Sequence, residues 1–433
     1  MGSEKQFSHV LDNLLFPKIF QTFRMAIQPS KLIIALSALA VICLAGWLMD
    51  HTRKTVIATT SNTQGTVTEL QVYMRNPDHV KSFIETHKQN THRTGVFSTL
   101  WRFAAARFQG AVYSLFAFNL PAVVENIAQY FKAVWWALNY HLIYSLIFFA
   151  IKLAVISVAG GSLCRIAALQ FARTEKPGLT EAIRFGIKKF TSFFTAPLAP
   201  LAIIIFIGFF IFILGLIGNI PRIGELIMGI CTPLAFLAGA LIVLALIGAV
   251  AGFNLMFPAV AYDGSDCFDA ISRSFSYVYA KPWRMGFYTA IAAVYGAVCY
   301  IFVRFFAFLL LMTTRWFLQR AIWVNNSTKQ VDKLTAIWPK PEFSNLLGPS
   351  TTITTNWSES FAGFLLFLCS LVIVGLVVSF IISFYFSANT IIYSLMRNKV
   401  DNTALDDVYT YSDDVQTEQA FTEPEQEQQE SEE

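Results

Sequence analysis

The stretch CRIAALQFARTEKPGLTEAIRFGIKKFTSFF, residues 164–194, decides how this chain is organised. In it, a polar turn precedes a short amphipathic segment, and that segment leads into a long apolar run. A weaker copy follows at an offset of 88 residues, where Asp-Ala-Ile at 269–271 aligns with Glu-Ala-Ile at 181–183. Each copy predicts a surface elbow that feeds a membrane span, and we place the elbows at 165–197 and 258–284.

The composition indicates a membrane protein rather than a soluble domain. Of 433 residues, 55% are hydrophobic, 15% aromatic and only 14% charged, which is too apolar for an ordinary soluble fold. The net charge of +4 hides a separation, because residues 401–433 contain 12 of the 28 acids and no Lys or Arg. We therefore expect an acidic, disordered tail at 397–433.

Six apolar runs predict an all-α membrane protein with about six transmembrane helices, since each approaches the length that crosses a hydrocarbon core of about 30 Å. The runs lie at about 32–49, 141–163, 198–217, 227–256, 285–312 and 361–385. The last five define a five-helix membrane domain at 140–396, with an outer loop at 315–360. Residues 1–31 place apolar side chains at helical spacing among basic ones, which indicates an interfacial amphipathic helix.

The region 50–139 has a different character from the spans on either side of it. Residues 55–73 are rich in β-prone and turn-forming types, whereas 76–136 has a mostly helical pattern with many aromatic residues. A loop of this length carries structure of its own, and Trp and Tyr are favoured at membrane surfaces. We expect an extracytoplasmic loop region with surface helices.

Basic residues near the span ends predict the sidedness of the chain. Six Lys or Arg lie within 165–189, three within 273–284, and Arg397 and Lys399 follow the last span. In a chain with six spans, these three segments and the N-terminus share one side of the membrane. That side should be the cytoplasm, so both termini are expected there.

Two cations interrupt the apolar runs, Lys152 in the second and Arg304 in the fifth, and no Asp or Glu lies within a core run to pair with them. Charges inside a bilayer are costly and often functional. One interpretation is that both cations face a polar crevice and bind an anion such as a lipid phosphate or carboxylate. The alternative is that they snorkel or bond to backbone carbonyls of neighbouring helices.

Small residues in the fourth run predict close helix packing. Gly239, Gly248 and Gly252 lie within it, and the last two form a GxxxG motif. Glycines of this kind allow helix backbones to approach each other closely. We expect this span to lie at the centre of the bundle, with oligomerisation through it as the alternative.

The sequence lacks the patterns that mark common catalytic sites. It contains no Walker A loop, HExxH motif or CxxC pair, its six histidines lack ligand spacing, and its six cysteines are scattered singly. We therefore predict a protein that is not an enzyme, with no catalytic residues, no metal, no cofactor and no nucleic-acid partner.

Three segments carry a resemblance to a known group of proteins. They are ARTEKPGLTEAIRFGIKKFTSFFTAPL at 172–198, FPAVAYDGSDCFDAISRSFSYVYAKPWR at 257–284 and ANTIIYSLMRNKVDNTALDDVY at 388–409. Together they resemble a family of polytopic inner-membrane proteins of planctomycete-type bacteria. More remotely, the elbows are similar to the membrane domain fused to glycerophosphoryl diester phosphodiesterases, whose catalytic domain has no counterpart here. The resemblance implies a bacterial inner-membrane protein with cytoplasmic termini, and it supplies no activity or binding residues.

The functional hypothesis rests on large aromatic loops, the absence of catalytic patterns and an acidic tail. We expect a structural or scaffold subunit of a larger membrane assembly, whose partners are the lipid bilayer and other membrane-protein subunits or copies of the chain. The alternative is a permease or a lipid or anion transporter that uses Lys152 and Arg304.

Overall fold

A computed structural model describes residues 15–52, 54–61, 65–87, 93–322, 332–348 and 356–409. It confirms the helical fold class, because helices account for nearly all of the regular structure. After a 3₁₀ helix at Phe16–Gln21, the helices in chain order are α1 (Thr22–Ala26), α2 (Pro29–Thr52), α3 (Glu69–Arg75), α4 (His79–Thr86), α5 (Val96–Phe116), α6 (Leu120–Tyr140), α7 (Leu142–Arg173), α8 (Leu179–Lys188), α9 (Phe190–Thr195), α10 (Ala199–Ile217), α11 (Ile223–Asp263), α12 (Cys267–Ala280), α13 (Pro282–Ala321), α14 (Lys333–Ile337) and α15 (Trp357–Val400).

Six helices, α2, α7, α10, α11, α13 and α15, are long and apolar enough to cross a membrane, which confirms the predicted number of spans. Four of them, α7, α11, α13 and α15, contain between 32 and 44 residues. At about 1.5 Å per residue, these four are roughly 48 to 66 Å long, well beyond a core of about 30 Å. The predicted spans were shorter because hydropathy falls at the membrane edge, whereas the helices continue through polar residues.

The chain divides into two compact units. Residues 37–156 form the smaller unit, and the remaining described residues form the larger one. Both boundaries fall inside helices, α2 and α7. The chain therefore passes between the units along continuous helices, not at the ends of the apolar runs that the sequence suggested.

The smaller unit contains a short antiparallel sheet. Its strands are β1 (Val56–Ser61), β2 (Gly65–Thr68) and β3 (Arg93–Thr94), in the order β2-β1-β3. The β-prone stretch thus forms β1 and β2 and ends in α3, and the helical pattern after it forms α4 to α6. Side chains from the sheet and from α3, α5 and α6 make one apolar core that includes Val56, Leu70, Val96 and Trp136.

Asp50, near the end of α2, holds the start of α5. Its carboxylate accepts hydrogen bonds from the backbone N–H groups of Phe97 (3.1 Å) and Ser98 (2.9 Å) and from the hydroxyl of Tyr144 (2.6 Å). The first N–H groups of a helix lack partners within it, so an acid placed there stabilises the helix. A Cβ at Gly95 would overlap this carboxylate, which explains the glycine.

A second buried carboxylate, Glu69, joins the sheet to the start of α7. It accepts a hydrogen bond from the backbone N–H of Ile57 (3.1 Å) and forms an ion pair with His141 (3.2 Å). The other ring nitrogen of His141 lies 3.3 Å from the hydroxyl oxygen of Thr55. Within the smaller unit, two acids therefore connect the sheet and α5 to the C-terminal end of α2 and to the start of α7.

We predict that Asp50→Asn destabilises the smaller unit by about 1–3 kcal/mol, because an amide leaves one buried N–H at the start of α5 without an acceptor. Hydrogen exchange at residues 96–99 should accelerate accordingly. Asp78→Asn is the matched control, because Asp78 is exposed and its side chain caps nothing. Equal exchange rates in the two variants would contradict the assignment.

In the larger unit, the two elbow helices begin at the predicted offset, α8 at Leu179 and α12 at Cys267. α12 lies between the long helices α11 and α13, whereas α8 follows α7 and leads through the short helix α9 to α10. The polar residues 174–178 and 264–266 form the predicted breaks. The first part of each predicted elbow is helical, because α7 continues to Arg173 and α11 to Asp263.

Both elbow helices pack against the long helix that precedes them through a small residue. A Cβ at Gly186 of α8 would overlap the Val158 carbonyl and the Ser162 hydroxyl of α7. Ser274 of α12 occupies the aligned position and lies against Gly252 of α11. The close contact is thus repeated, with the glycine on the elbow in one copy and on the long helix in the other.

Both ends of the described chain differ from the prediction. Residues 1–14 lie outside the described residues, but Ile19 and Met25 are buried and the Phe23 ring lies 6.1 Å from that of Phe302 in α13. The N-terminal segment therefore packs against spans instead of only resting in the headgroups. Residues 397–409 are ordered, the first four as part of α15, so the described part of the predicted disordered tail is packed on the protein; residues 410–433 lie outside the described residues.

Candidate functional site

Arg304, a predicted anion contact, binds backbone carbonyls in the structure. Its Nε and Nη2 donate to the carbonyl of Phe343 (3.0 and 2.9 Å), and Nη2 also donates to that of Ser344 (2.8 Å). Arg315, about three turns further along α13, donates to the carbonyl of Trp338. The two arginines therefore hold the loop segment 332–348. These carbonyls lie in a loop and not in a neighbouring helix, and the role of Arg304 as an anion contact stays a prediction.

Lys152 is half-buried in the part of α7 that belongs to the smaller unit. Within the described residues it forms no hydrogen bond or ion pair. Arg304 belongs to the larger unit. The proposed role of Lys152 as an anion contact stays a prediction.

The three glycines of α11 have different surroundings. A Cβ at Gly248 would lie 2.7 Å from the Phe275 ring, and one at Gly252 would lie 3.4 Å from Ser274, so both glycines allow close packing of α12. At Gly239 a Cβ would meet no described atom within 4 Å. The prediction that Gly239 packs inside the bundle is wrong for the described chain, because α11 contacts the bundle mainly through its C-terminal part.

A buried lysine that the sequence did not single out lies in the larger unit. Lys31 is fully buried, and its Nζ donates to the hydroxyl of Ser387 (3.1 Å) and the amide oxygen of Gln170 (3.3 Å). Among the described residues, no carboxylate lies within ion-pair distance of it. A charged residue at the start of an apolar run is normally exposed in the headgroup region, so the burial of Lys31 is not predicted by its position in the sequence.

Ser387 belongs to a buried line of hydroxyls on α15. Ser379, Ser383 and Ser387 recur every four residues and are fully buried, so they share one face of the helix. The Ser383 hydroxyl donates to the carbonyl of Ala26 (2.9 Å) and that of Ser379 to the carbonyl of Gly375 (2.7 Å). These bonds satisfy the hydroxyls locally and allow α1 to approach α15 closely.

The ends of α11, α12 and α15 meet at a group that we call the end cluster: Asp263, Arg273, Tyr393, Arg397 and Asp407. The Asp263 carboxylate is 6% exposed and lies 3.2 Å from Arg397 Nε and 3.3 Å from Arg273 Nη1. The Tyr393 hydroxyl also donates to it, and Arg397 pairs with Asp407 at 2.9 Å. A buried carboxylate is tolerated when ion pairs and hydrogen bonds surround it in this way.

Residues 401–409, the C-terminal strap, connect the end cluster to α7. The backbone N–H of Tyr409 donates to the carbonyl of Tyr262 (3.0 Å), and Arg165 donates to the carbonyls of Tyr409 (2.9 Å) and Ala261 (3.1 Å). The Arg165 guanidinium also lies 4.8 Å from the centre of the Phe185 ring. One arginine therefore joins α7, α8, α11 and the strap.

The elbow helices contact the strap as well. Lys189, which follows α8, donates to the carbonyl of Gly264 (2.5 Å), and a Cβ at Gly264 would be 2.6 Å from the Tyr409 ring. Gly264 has φ +66°, a conformation that glycine adopts without strain. Tyr277 of α12 donates to Asp401, and burial together with that carboxylate raises the pKa of Tyr277.

The aligned acids of the two elbow copies have different roles. Asp263 lies at the centre of the end cluster, whereas Glu175, at the equivalent position of the first copy, is exposed. The repeat therefore duplicates the path of the backbone and not the ion-pair network.

The donors and acceptors of the end cluster are directed mainly at each other, which makes it a structural connection between helix ends. In the described parts of the chain, no group of three or more His, Cys, Asp or Glu could hold a metal ion, and the six cysteines are free. Comparisons with protein-family models, curated proteins and solved structures found no match to this chain. The functional argument therefore depends on the geometry alone.

We predict that Asp263→Asn lowers the free energy of unfolding by about 3–5 kcal/mol, because two guanidinium groups lose a buried counter-charge. The thermal unfolding midpoint in detergent measures the effect. Glu175→Gln is the matched control at the aligned position, and as an exposed substitution it should change stability by no more than about 0.5 kcal/mol. Similar midpoints for the two variants would show that the end cluster is not a stabilising element.

Proposed function

We propose that this chain is a non-enzymatic integral membrane protein that serves as a structural or scaffold subunit of a larger membrane assembly. Its partners would be other membrane-protein subunits or copies of itself, within the lipid bilayer. The observation that carries the proposal is the surface of the helical hairpin formed by α10 and the N-terminal half of α11.

This hairpin has little contact with the rest of the chain. In the most apolar 18-residue stretch of each helix, only 6% of the residues of α10 and 6% of those of α11 are buried, compared with 33% for α13. Lipid can cover an apolar surface, but Gly215, Gly229 and Gly239 also lie there with open space beside them. Small residues at a helix surface allow a second helix to approach closely, so this surface suits contact with another subunit.

The proposed location is the bacterial inner membrane, with both termini in the cytoplasm. The support comes from the basic residues of the two elbows, among them Arg184 and Lys188 of α8, which lie close in sequence to the ends of candidate spans. Positive charge near span ends favours the cytoplasmic side.

The second candidate function is a permease or a lipid or anion transporter. The observation that favours it is Lys31, a buried cation with no carboxylate partner among the described residues. Intramembrane cations without an acid often mark a substrate or ion pathway. This function would require a solute to reach Lys31, whereas a scaffold requires only that Gln170 and Ser387 hold it.

We predict that Gly239→Leu lowers the association constant of the assembly about tenfold, equivalent to about 1.4 kcal/mol, because leucine blocks close approach without a clash in the single chain. Native mass measurement after gentle extraction, with identification of bound proteins and lipids, is the readout. Gly286→Leu on α13 is the matched control, since a Cβ there also meets open space.

A single protomer in the unmodified protein would overturn the scaffold proposal. If that protomer also held one anionic lipid that Lys31→Met removes, the transporter would be the better interpretation. A defined assembly that survives Gly239→Leu would move the contact away from this hairpin.

A further inference from the structure

The helical hairpin formed by α5 and α6 has its polar groups inside. Between the two helices, Arg107 Nη1 donates to Gln129 Oε1 (2.7 Å). Gln129 Nε2 also donates to Glu125 Oε1 (2.9 Å), but that bond runs along α6, where Glu125 is exposed. Asn126 lies against Gly110, where a Cβ would be 2.7 Å from its Oδ1. A hairpin surrounded by water normally has the opposite arrangement, with polar residues outside and apolar residues between its helices.

The outer face of the same hairpin is apolar. On α6, Leu120, Val124, Ile127, Phe131 and Trp135 are each at least 49% exposed. Their spacing of three or four residues places them along one face of the helix. A continuous exposed apolar face of this kind, unlike single exposed side chains, indicates a surface that is covered in the working protein.

The tip of the hairpin is apolar as well. Phe118 is 92% exposed and has φ +54°, a conformation that is costly for a phenylalanine. Phe116 and Leu120 beside it are also exposed. Nothing in the packing of the smaller unit accounts for an exposed aromatic ring on a strained backbone at this position.

The hairpin is poor in charge. Only four of the 45 residues from 96 to 140 are charged, Arg102, Arg107, Glu125 and Lys132, whereas about a quarter of the residues in soluble domains are charged. Arg107 bonds to Gln129 between the helices. Arg102, Glu125 and Lys132 are therefore the three charges on the exposed surface of two helices that are each roughly 31 Å long.

The hairpin begins beside two candidate spans. The Phe97 ring, at the start of α5, lies 5.4 Å from the Phe148 ring of α7, and a Cβ at Gly46 of α2 would overlap it. Gly46 and Phe148 lie more than a turn inside the ends of their helices. A single residue, His141, separates α6 from α7. The apolar face of the hairpin is therefore continuous in the chain with surfaces that contact lipid.

We propose that the α5–α6 hairpin inserts into the acyl region of the bilayer leaflet at the C-terminal end of α2. The occupant of its apolar face is lipid. The bond between Arg107 Nη1 and Gln129 pairs two polar side chains between the helices, away from the hydrocarbon, which is the arrangement that side chains at membrane depth favour. Trp101 and Trp135, both near the open end of the hairpin, take the interfacial level that tryptophan favours, and the Phe118 tip lies deepest.

The test is photo-crosslinking in native membranes with the full chain, in which p-benzoylphenylalanine replaces one residue at a time. The probe positions are Phe118 and Phe131. Phe306, which is 63% exposed on α13, is the lipid-facing control, and Lys81, exposed on α4, is the water-facing control. Mass spectrometry after irradiation separates phospholipid adducts from protein adducts.

We expect phospholipid adducts at Phe118 and Phe131 in yields within twofold of those at Phe306 and at least fivefold above those at Lys81. Adducts to a second protein at these positions would overturn the proposal and identify a protein partner for the hairpin. Yields as low as at Lys81 would also overturn it, because they would place the apolar face in water. Thermal unfolding of each variant establishes that the probe leaves the fold intact.

Discussion

The Asp263 carboxylate, held by Arg397 and Arg273, is the interaction on which the larger unit depends. Isolating such a charge from water is costly unless its partners are well placed, and those partners belong to α12 and α15. Asp263 is the last residue of α11, and the burial of this helix is concentrated at the same end. Residues 255–262 are buried, whereas most of the N-terminal half is exposed. The α10–α11 hairpin is thus attached to the bundle chiefly through its end and elbow, which leaves the rest of its surface for lipid or another subunit.

Most of the informative cations in the larger unit serve the backbone. Arg165, Arg304, Arg315 and Lys189 each donate to carbonyl groups where the chain is irregular. Where water is scarce, unpaired carbonyls are costly, and a guanidinium offers five donors in a fixed geometry. Burying a cation is costly, but leaving the carbonyl groups of a loop unpaired is costly as well. A cation that donates to these carbonyls can therefore stabilise the fold, because it replaces the water around the loop.

Local patterns were enough to predict the architecture. Hydropathy located the six spans, the repeat predicted the 88-residue offset between α8 and α12, and the β-prone stretch 55–73 contains β1 and β2. The buried polar contacts could not be predicted in this way, since Lys31 bonds to residues 139 and 356 positions away. The surroundings of Gly239 could not be predicted either. The sequence around a glycine in an apolar run does not show whether that glycine faces another helix or open space.

The two helical hairpins differ in what their surfaces fit. The face of α5–α6 is formed by bulky side chains such as Phe131 and Trp135 over a polar interior, and its irregular relief suits acyl chains, which adapt to any shape. The α10–α11 hairpin also exposes bulky side chains such as Phe206 and Phe236, but it has open positions at Gly229 and Gly239, where the backbone of another helix can approach closely. Gly110 of the first hairpin is instead filled by Asn126. The unfilled glycines are therefore the reason why we propose lipid as the neighbour of the first hairpin and another subunit as the neighbour of the second.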